Sequence, residues 1–123
     1  MQPSDPVRII EMVFPEQANH YGTLFGGQAL ALMDKAAFIA ATRYCRQTVV
    51  TASSERCDFH APVRQGELAE LVATVISTGR TSMVVEVELT GEVLLTGERR
   101  LATRGRFVMV ALDDYGRPVA LSR

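Results

Sequence analysis

One carboxylate within an apolar stretch is the residue best suited to do chemistry. Asp34 lies in the segment Gly26–Cys45, which is rich in Ala, Leu and Met and contains no proline. On a helix, its neighbours three and four positions away are Leu30, Ala31, Ala37 and Phe38. A carboxylate there loses hydration, which is costly unless it is paired, hydrogen-bonded or used. The position indicates a general base or a nucleophile, or else a structural carboxylate that pairs with Lys35 or Arg43 or reaches solvent past the alanines.

Two adjacent glycines begin this segment. Gly26 and Gly27, preceded by Gly22, allow the backbone to turn tightly and to approach another group. The first turn of a helix has amide N–H groups without intrahelical partners, and these can stabilise an oxyanion. Gln28 and Ala29 follow the pair, so the pattern is not that of a nucleotide-binding P-loop. The spacing predicts an oxyanion site at the helix start, or a glycine-rich entry with a purely steric role.

The helix that positions these groups must be buried. It is apolar around most of its circumference, yet it is interrupted by charged residues too often to be a membrane span. At about 100° per residue, one stripe can face solvent. The residues of this stripe are Gln28, Lys35, Thr42 and Arg46.

Strand-like segments lie on both sides of the predicted helix. They are residues 7–14, 48–59, 67–77, 82–89 and 99–112, with a bulge at Gly91 before a short extended piece at 93–95. Residues 1–6 are predicted to be a frayed leader. Within 82–89, Met83, Val85, Val87 and Leu89 share one face. One helix with antiparallel strands predicts a single α+β domain over residues 1–123, in which a curved sheet wraps the helix.

Composition narrows the function classes. The 123 residues carry a net charge of −1, and the pI is near 6.1, which argues against a nucleic-acid partner. Two cysteines and two histidines lack metal-ligand spacing and disulfide density, so we expect neither a metal site nor a cofactor. No signal-peptide pattern begins the chain, which predicts a cytoplasmic protein. A chain this short gains from burial through oligomerisation.

The segment NHYGTLFGGQALALMDKAAFIAA resembles the hotdog-fold acyl-CoA thioesterases of the short-to-medium-chain acyl-CoA hydrolase group. The signature of that group is Asn-x-x-Gly-x-x-x-Gly-Gly followed by Met-Asp. The resemblance continues through VVTASSERCDFHAPVRQGE, TGRTSMVVEVEL and LLTGERRLATRGRFVMVALDDYGRP, and so covers residues 7 to 119. It implies a single hotdog domain that cleaves acyl-CoA to a free acid and coenzyme A, which is then substrate and product rather than a cofactor.

The resemblance also implies roles for particular residues. The amides of Gly26 and Gly27 would polarise the thioester carbonyl, Asp34 would act as base or nucleophile, and Asn19 would orient water or thioester. The pantetheine arm would lie near Arg80, Thr81 and Ser82. Arg104 and Arg106, on one face of the last strand, either hold coenzyme A phosphates or form a solvated surface.

The same resemblance implies a homodimer with shared active sites, and three such dimers in a hexamer. Helix geometry supports the sharing, because about 10 Å of helix separates Gly27 from Asp34. Two other function classes stay open. A non-catalytic acyl-CoA sensor would need neither Asn19 nor Asp34. A hotdog hydratase or dehydratase would pair a carboxylate with a histidine, for which only His20 is close in sequence, while His60 is predicted to pack or face solvent.

Overall fold

One helix packs against a five-stranded antiparallel sheet. The computed structural model describes residues 5–122. Its elements are β1 (Val7–Met12), a short 3-10 turn (Pro15–Gln17), α1 (Gly26–Cys45), β2 (Thr48–Phe59), β3 (Leu68–Thr78), β4 (Ser82–Glu92) and β5 (Arg99–Leu112). The strand order is β1-β3-β4-β5-β2, so β1 and β2 form the two edges. The predicted α+β arrangement is confirmed. Most of the predicted leader, residues 1–6, lies outside the described residues.

The buried face of α1 is built mostly from alanine. Small side chains let the helix approach the sheet closely, and they surround the larger Leu32 and Met33. The residues concerned are Ala29, Ala36, Ala37, Ala40 and Ala41. At Gly105 of β5, a β-carbon would stand 2.5 Å from Cys57 Sγ and 3.2 Å from Met33 Cε. Any other residue there would require the Cys57 side chain to move away and the end of Met33 to shift slightly.

The predicted alternation of β4 is confirmed, because Met83, Val85, Val87 and Leu89 are fully buried beneath α1. Only part of the helix stripe that was predicted to face solvent is exposed. Gln28, Lys35 and Arg46 are exposed, but Thr42 is half-buried and its hydroxyl has no hydrogen-bond partner among residues 5–122.

The region around Gly91 corrects two predictions. Gly91 pairs regularly with Ala69 and Arg100, and the register irregularity lies opposite, at Ala102 of β5. A β-carbon at position 91 would meet Val63 Cγ2 at 3.3 Å, so a larger residue would require the Val63 side chain to shift slightly. Residues 93–95 are not extended either, because they belong to the β4–β5 turn, which Val93 N–H closes by donating to Glu98 O. The prediction that β1 continues to residue 14 is also wrong, since it ends at Met12.

Paired charges cover the outer face of the sheet, away from α1. Arg104 donates to Glu88 across β4 and β5, and Arg106 donates to Glu86 on the same two strands. Arg99 bridges Glu92 and Glu70 at the other end of the strands. Each charge of these cross-strand pairs faces its opposite, which favours the observed register.

Glu67 joins the turn before β3 to β5. Its Oε1 accepts from Arg64 N–H at 2.9 Å and from the Arg100 guanidinium at 2.5 Å. Burial alone would raise the pKa of Glu67, but the hydrogen bonds from Arg64 and Arg100 outweigh burial and hold that pKa below its usual value. The Glu67 side chain is 12% exposed and that of Arg100 is 28% exposed, so the pair is shielded from water in part.

We expect Glu67→Gln to lower the free energy of unfolding by about 1–3 kcal/mol at neutral pH, because a hydrogen-bonded charge is lost. The folded-state pKa is lowered, so this stability is present above the unfolded-state value of about 4.3 and is lost as pH falls through the lower folded-state pKa. Denaturant unfolding at several pH values measures the gap between wild type and variant, which should shrink below about pH 4. Glu98→Gln, in the exposed β4–β5 turn, is the control. If the difference in unfolding free energy between wild type and Glu67→Gln did not depend on pH, the lowered pKa of Glu67 would be contradicted.

Candidate functional site

A hydrogen bond between α1 and β2 fixes the carboxylate. Asp34 is half-buried, and its Oδ1 accepts from the Thr51 hydroxyl at 2.6 Å. Lys35 does not neutralise it, because Lys35 Nζ lies 3.6 Å from Glu11 Oε2. Thr51 was missed by the sequence reasoning, which treated residues 48–59 only as a strand. A carboxylate with one oxygen held in this way leaves its other oxygen, Oδ2, available to a water molecule or a substrate.

The start of α1 carries free amides. Phe25 is the N-cap and provides no side-chain cap, and the first helical bond runs from Ala29 N–H to Phe25 O. The N–H groups of Gly26, Gly27 and Gln28 therefore have no backbone partner within residues 5–122. A β-carbon on Gly27 would meet nothing within 4 Å, so the space above this turn is open. Such amides, at the positive end of a helix, can bind an oxyanion.

Asn19 organises the loop that leads into α1. Its Oδ1 accepts from Tyr21 N–H at 3.0 Å, from Thr23 N–H at 3.2 Å and from the Thr23 hydroxyl at 3.1 Å. Leu24 N–H, which follows, donates to Val63 O and ties the loop to the turn before β3. Since the carbonyl oxygen of Asn19 is used by its own loop, only its amide NH2 group is left for a substrate.

The residues predicted to hold the pantetheine arm lie at the other end of α1. The β3–β4 turn contains Arg80 and Thr81, and Arg80 O accepts from Leu121 N–H. The next residue of that tail, Ser122, donates from its hydroxyl to Cys45 O at the helix C-terminus. The 20-residue helix spans about 30 Å, so a single chain does not bring this turn and Ser82 to the helix start.

Arg104 and Arg106 lie on the outer face of the sheet. Both are exposed, while Thr103, Gly105 and Phe107 are buried, as the alternation predicts. Hydrogen bonding to Glu88, and then its charge, raises the pKa of Arg104 above its already high usual value. The carboxylates that pair with these arginines offset much of their positive charge.

Neither histidine contacts Asp34 by a hydrogen bond or an ion pair. His20 lies against the Tyr21 ring, with 4.0 Å between centroids. His60 follows β2 and is exposed at the rim of a cavity beside Gly26.

Burial and the nearby Asp58 charge raise the pKa of the Cys57 thiol, which opposes its ionisation.

Residues 5–122 contain neither a metal-binding cluster nor a membrane-spanning helix. No group of three or more His, Cys, Asp or Glu side chains there could hold a metal ion. Within the same span, α1 included, no helix is long and apolar enough to cross a membrane.

Comparison with known proteins gives consistent relatives. The family model described as Thioesterase superfamily matches residues 21–97. The acyl-CoA thioester hydrolase YkhA of Bacillus subtilis is 42% identical over 90% of this chain and 64% of its own length. The chain therefore spans less than two thirds of the length of that relative.

Two solved structures share the fold. An acyl-CoA hydrolase from Staphylococcus aureus, in complex with butyryl coenzyme A, coenzyme A and coenzyme A disulfide, is 34% identical with a TM-score of 0.90. The match covers 96% of this chain and 72% of that one. A structure described as an apo-hexameric acyl-CoA thioesterase is 40% identical with a TM-score of 0.93, over 96% of this chain and 76% of the other. The predicted hotdog fold is confirmed.

Proposed function

Because the chain belongs to the Thioesterase superfamily, we propose that it hydrolyses acyl-CoA thioesters to a free carboxylic acid and coenzyme A. The observation that carries this proposal is the half-buried Asp34 carboxylate, held by the Thr51 hydroxyl on a helix that begins with uncapped amides. A carboxylate and an oxyanion site are the two groups that thioester hydrolysis needs. Release of a free thiol from acyl-CoA, followed with a thiol-reactive dye, tests it. A sensor would bind without turnover, and a hydratase would change an enoyl group without thiol release.

The Staphylococcus aureus hydrolase adds support for the residues. That protein was also solved with single alanine substitutions of an asparagine, an aspartate and a threonine. The sequence intervals between these three positions equal those between Asn19, Asp34 and Thr51. Asn19 and Asp34 were predicted from the sequence, and Thr51 comes from the hydrogen bond to Asp34.

Asp34 can act in either of two ways. As a general base, it takes a proton from water while the water oxygen adds to the thioester carbon; the tetrahedral intermediate then expels coenzyme A thiolate, which takes up the proton. As a nucleophile, its oxygen forms a mixed anhydride and expels the thiolate, and water then cleaves the anhydride. A thiolate leaves readily, so neither route needs a strong general acid.

The helix start and Asn19 stabilise the negative oxygen. The free N–H groups of Gly26 and Gly27 would donate to the thioester oxygen as charge develops there. Asn19 has its carbonyl oxygen occupied, so its NH2 group would donate to substrate or to the attacking water. Asn19 is thus a donor rather than a base in this mechanism.

The edge strand β2 suggests how the site is completed. It is 12 residues long, carries Thr51, and is exposed along most of its length. Edge strands of this kind are usually covered or paired. Pairing of β2 with the same strand of a second copy around a two-fold axis would continue the sheet and set the two α1 helices antiparallel. Asp34 of one protomer would then face Gly26 and Gly27 of its partner.

The same pairing would explain the distant β3–β4 turn. Arg80, Thr81 and Ser82 lie about 30 Å along α1 from the amides of their own chain. With antiparallel helices, this turn of one protomer comes to the helix start of its partner, where the pantetheine arm would pass. Three such dimers would make a hexamer, and the hexameric thioesterase relative supports that assembly. Arg104 and Arg106 would contact coenzyme A phosphates only by exchanging their carboxylate partners.

We expect Asp34→Asn to reduce turnover by about 100-fold or more while acyl-CoA binding stays nearly intact, since the charge is lost and the shape is kept. Thiol release measures turnover, and calorimetry measures binding. Asp114→Asn, in the exposed turn after β5, is the matched control. If Asp34→Asn kept more than a few per cent of wild-type turnover, Asp34 would be structural.

Thr51 is a positioning residue that acts through Asp34, so Thr51→Val should lower kcat by about 10- to 100-fold, the worth of a hydrogen bond to a charged group. KM should change little, and Thr51→Ser should restore most of the rate. Thr48→Val, at the exposed start of the same strand, is the control. A loss in Thr51→Ser equal to that in Thr51→Val would argue against the hydroxyl.

If each active site is shared between two protomers, two inactive variants should restore activity to each other in a mixed dimer. Asn19→Ala and Asp34→Ala homodimers should each be nearly inactive. A mixed dimer places both lesions in one site and neither in the other, so it should recover up to about half of the wild-type rate per dimer. Co-expression with two affinity tags isolates the mixed dimer, and wild type carrying both tags is the control. A mixed dimer as inactive as both parents would contradict the shared site.

A further inference from the structure

A cavity of about 310 Å³ opens beside the helix start. Gly26 and Ala29 of α1 form one wall, and the Phe59 ring, whose Cε1 and Cζ lie 3.9 Å from where a β-carbon of Gly26 would stand, forms another. A water molecule takes about 30 Å³ of liquid, so the cavity holds on the order of ten heavy atoms. That volume is at the small end of ligand pockets and suits a short acyl chain rather than a nucleotide.

One polar side chain of this cavity is deeply buried. Thr103 is 2% exposed, lies on the inner face of β5 and lines the cavity. No side-chain hydrogen bond joins its hydroxyl to another residue of 5–122, and the hydroxyl is not fully enclosed by protein, so it opens onto the cavity. Water can hydrogen-bond such a hydroxyl while the cavity is empty, but an apolar occupant that displaces the water leaves the hydroxyl unpaired, which costs free energy.

The rest of the lining makes Thr103 distinctive. Apart from His60 at the exposed rim, the cavity is lined by apolar side chains and glycine. Thr103 pairs with Phe59 across β5 and β2, and adjacent strands lie about 4.8 Å apart. The Phe59 ring lies beside Gly26, and Thr103 lies on the neighbouring strand, farther from the helix start. An acyl chain whose thioester carbonyl is held by the helix-start amides would therefore reach the Thr103 hydroxyl a few carbons beyond that carbonyl.

We infer that this cavity takes the acyl chain, and that Thr103 hydrogen-bonds a hydroxyl or keto oxygen carried on that chain a few carbons from the thioester. The preferred substrates are then short hydroxyacyl or oxoacyl thioesters rather than plain fatty acyl thioesters. The inference rests on the proposed hydrolase function. A plain chain leaves the Thr103 hydroxyl unpaired against methylene groups, whereas an oxygenated chain satisfies it.

The test compares kcat/KM for hexanoyl-CoA with kcat/KM for its hydroxyhexanoyl-CoA isomers. In wild type, at least one hydroxy isomer should be preferred over hexanoyl-CoA. Thr103→Val keeps the side-chain shape and should reduce that preference by about 3- to 10-fold, the net worth of one hydrogen bond. Thr103→Ser keeps the hydroxyl and should retain the preference.

Thr42→Val is the matched control, because it removes a hydroxyl that is buried without a partner among residues 5–122 and lies near the far end of α1, away from the cavity. It should leave the preference unchanged. Equal thiol release from plain and hydroxylated chains by wild type would overturn this inference alone. So would an equal change in Thr103→Val and Thr42→Val. No thiol release from any member of the panel would overturn the hydrolase function, and the inference with it.

Discussion

The short distance between α1 and the sheet is the constraint on which the rest of the structure depends. The alanines of the helix and Gly105 of β5 allow that distance, and the buried Met33 side chain fills the space between the two elements. Rotating or sliding such a helix would open gaps or force overlaps in the core, which close-packed interiors resist. The hydroxyl of Thr51 can therefore reach Asp34 at 2.6 Å from a different element.

The candidate catalytic groups come from different segments, and one chain brings only some of them together. A single chain supplies a complete carboxylate with its supporting hydroxyl, and a complete set of helix-start amides. These two groups lie along the same helix axis, about 10 Å apart, so they cannot both act on one carbonyl carbon. In the proposed dimer, a second copy would bring its own helix start to this carboxylate. The proposed site would then be a property of two helices rather than of one.

Regular periodicity made much of the fold predictable. The helix was predicted with its observed bounds, and the alternation in β4 gave the buried face correctly. The prediction for Gly91 was wrong because glycine occurs in a strand for two reasons, a bulge or a close neighbour. The close neighbour here is Val63, which is distant in sequence. The hydrogen bond to Thr51 could not be predicted either. It depends on the register of β2, whose pairing with β5 is irregular at two points, and a one-residue slip reverses the direction of every side chain.

The charge pairs on the outer face also bear on how the chain finds this register. Glu86 and Glu88 of β4 meet Arg106 and Arg104 of β5 across a connection of only six residues, so the pairs can form from local sequence alone. A slip of one residue would turn both arginines toward the apolar interior. A slip of two would leave one arginine opposite Val84 in one direction, or opposite Thr90 in the other, with its charge unpaired. The charge pairs thus disfavour misaligned versions of this hairpin without any contribution from β2, which pairs with β5 from about fifty residues earlier in the chain.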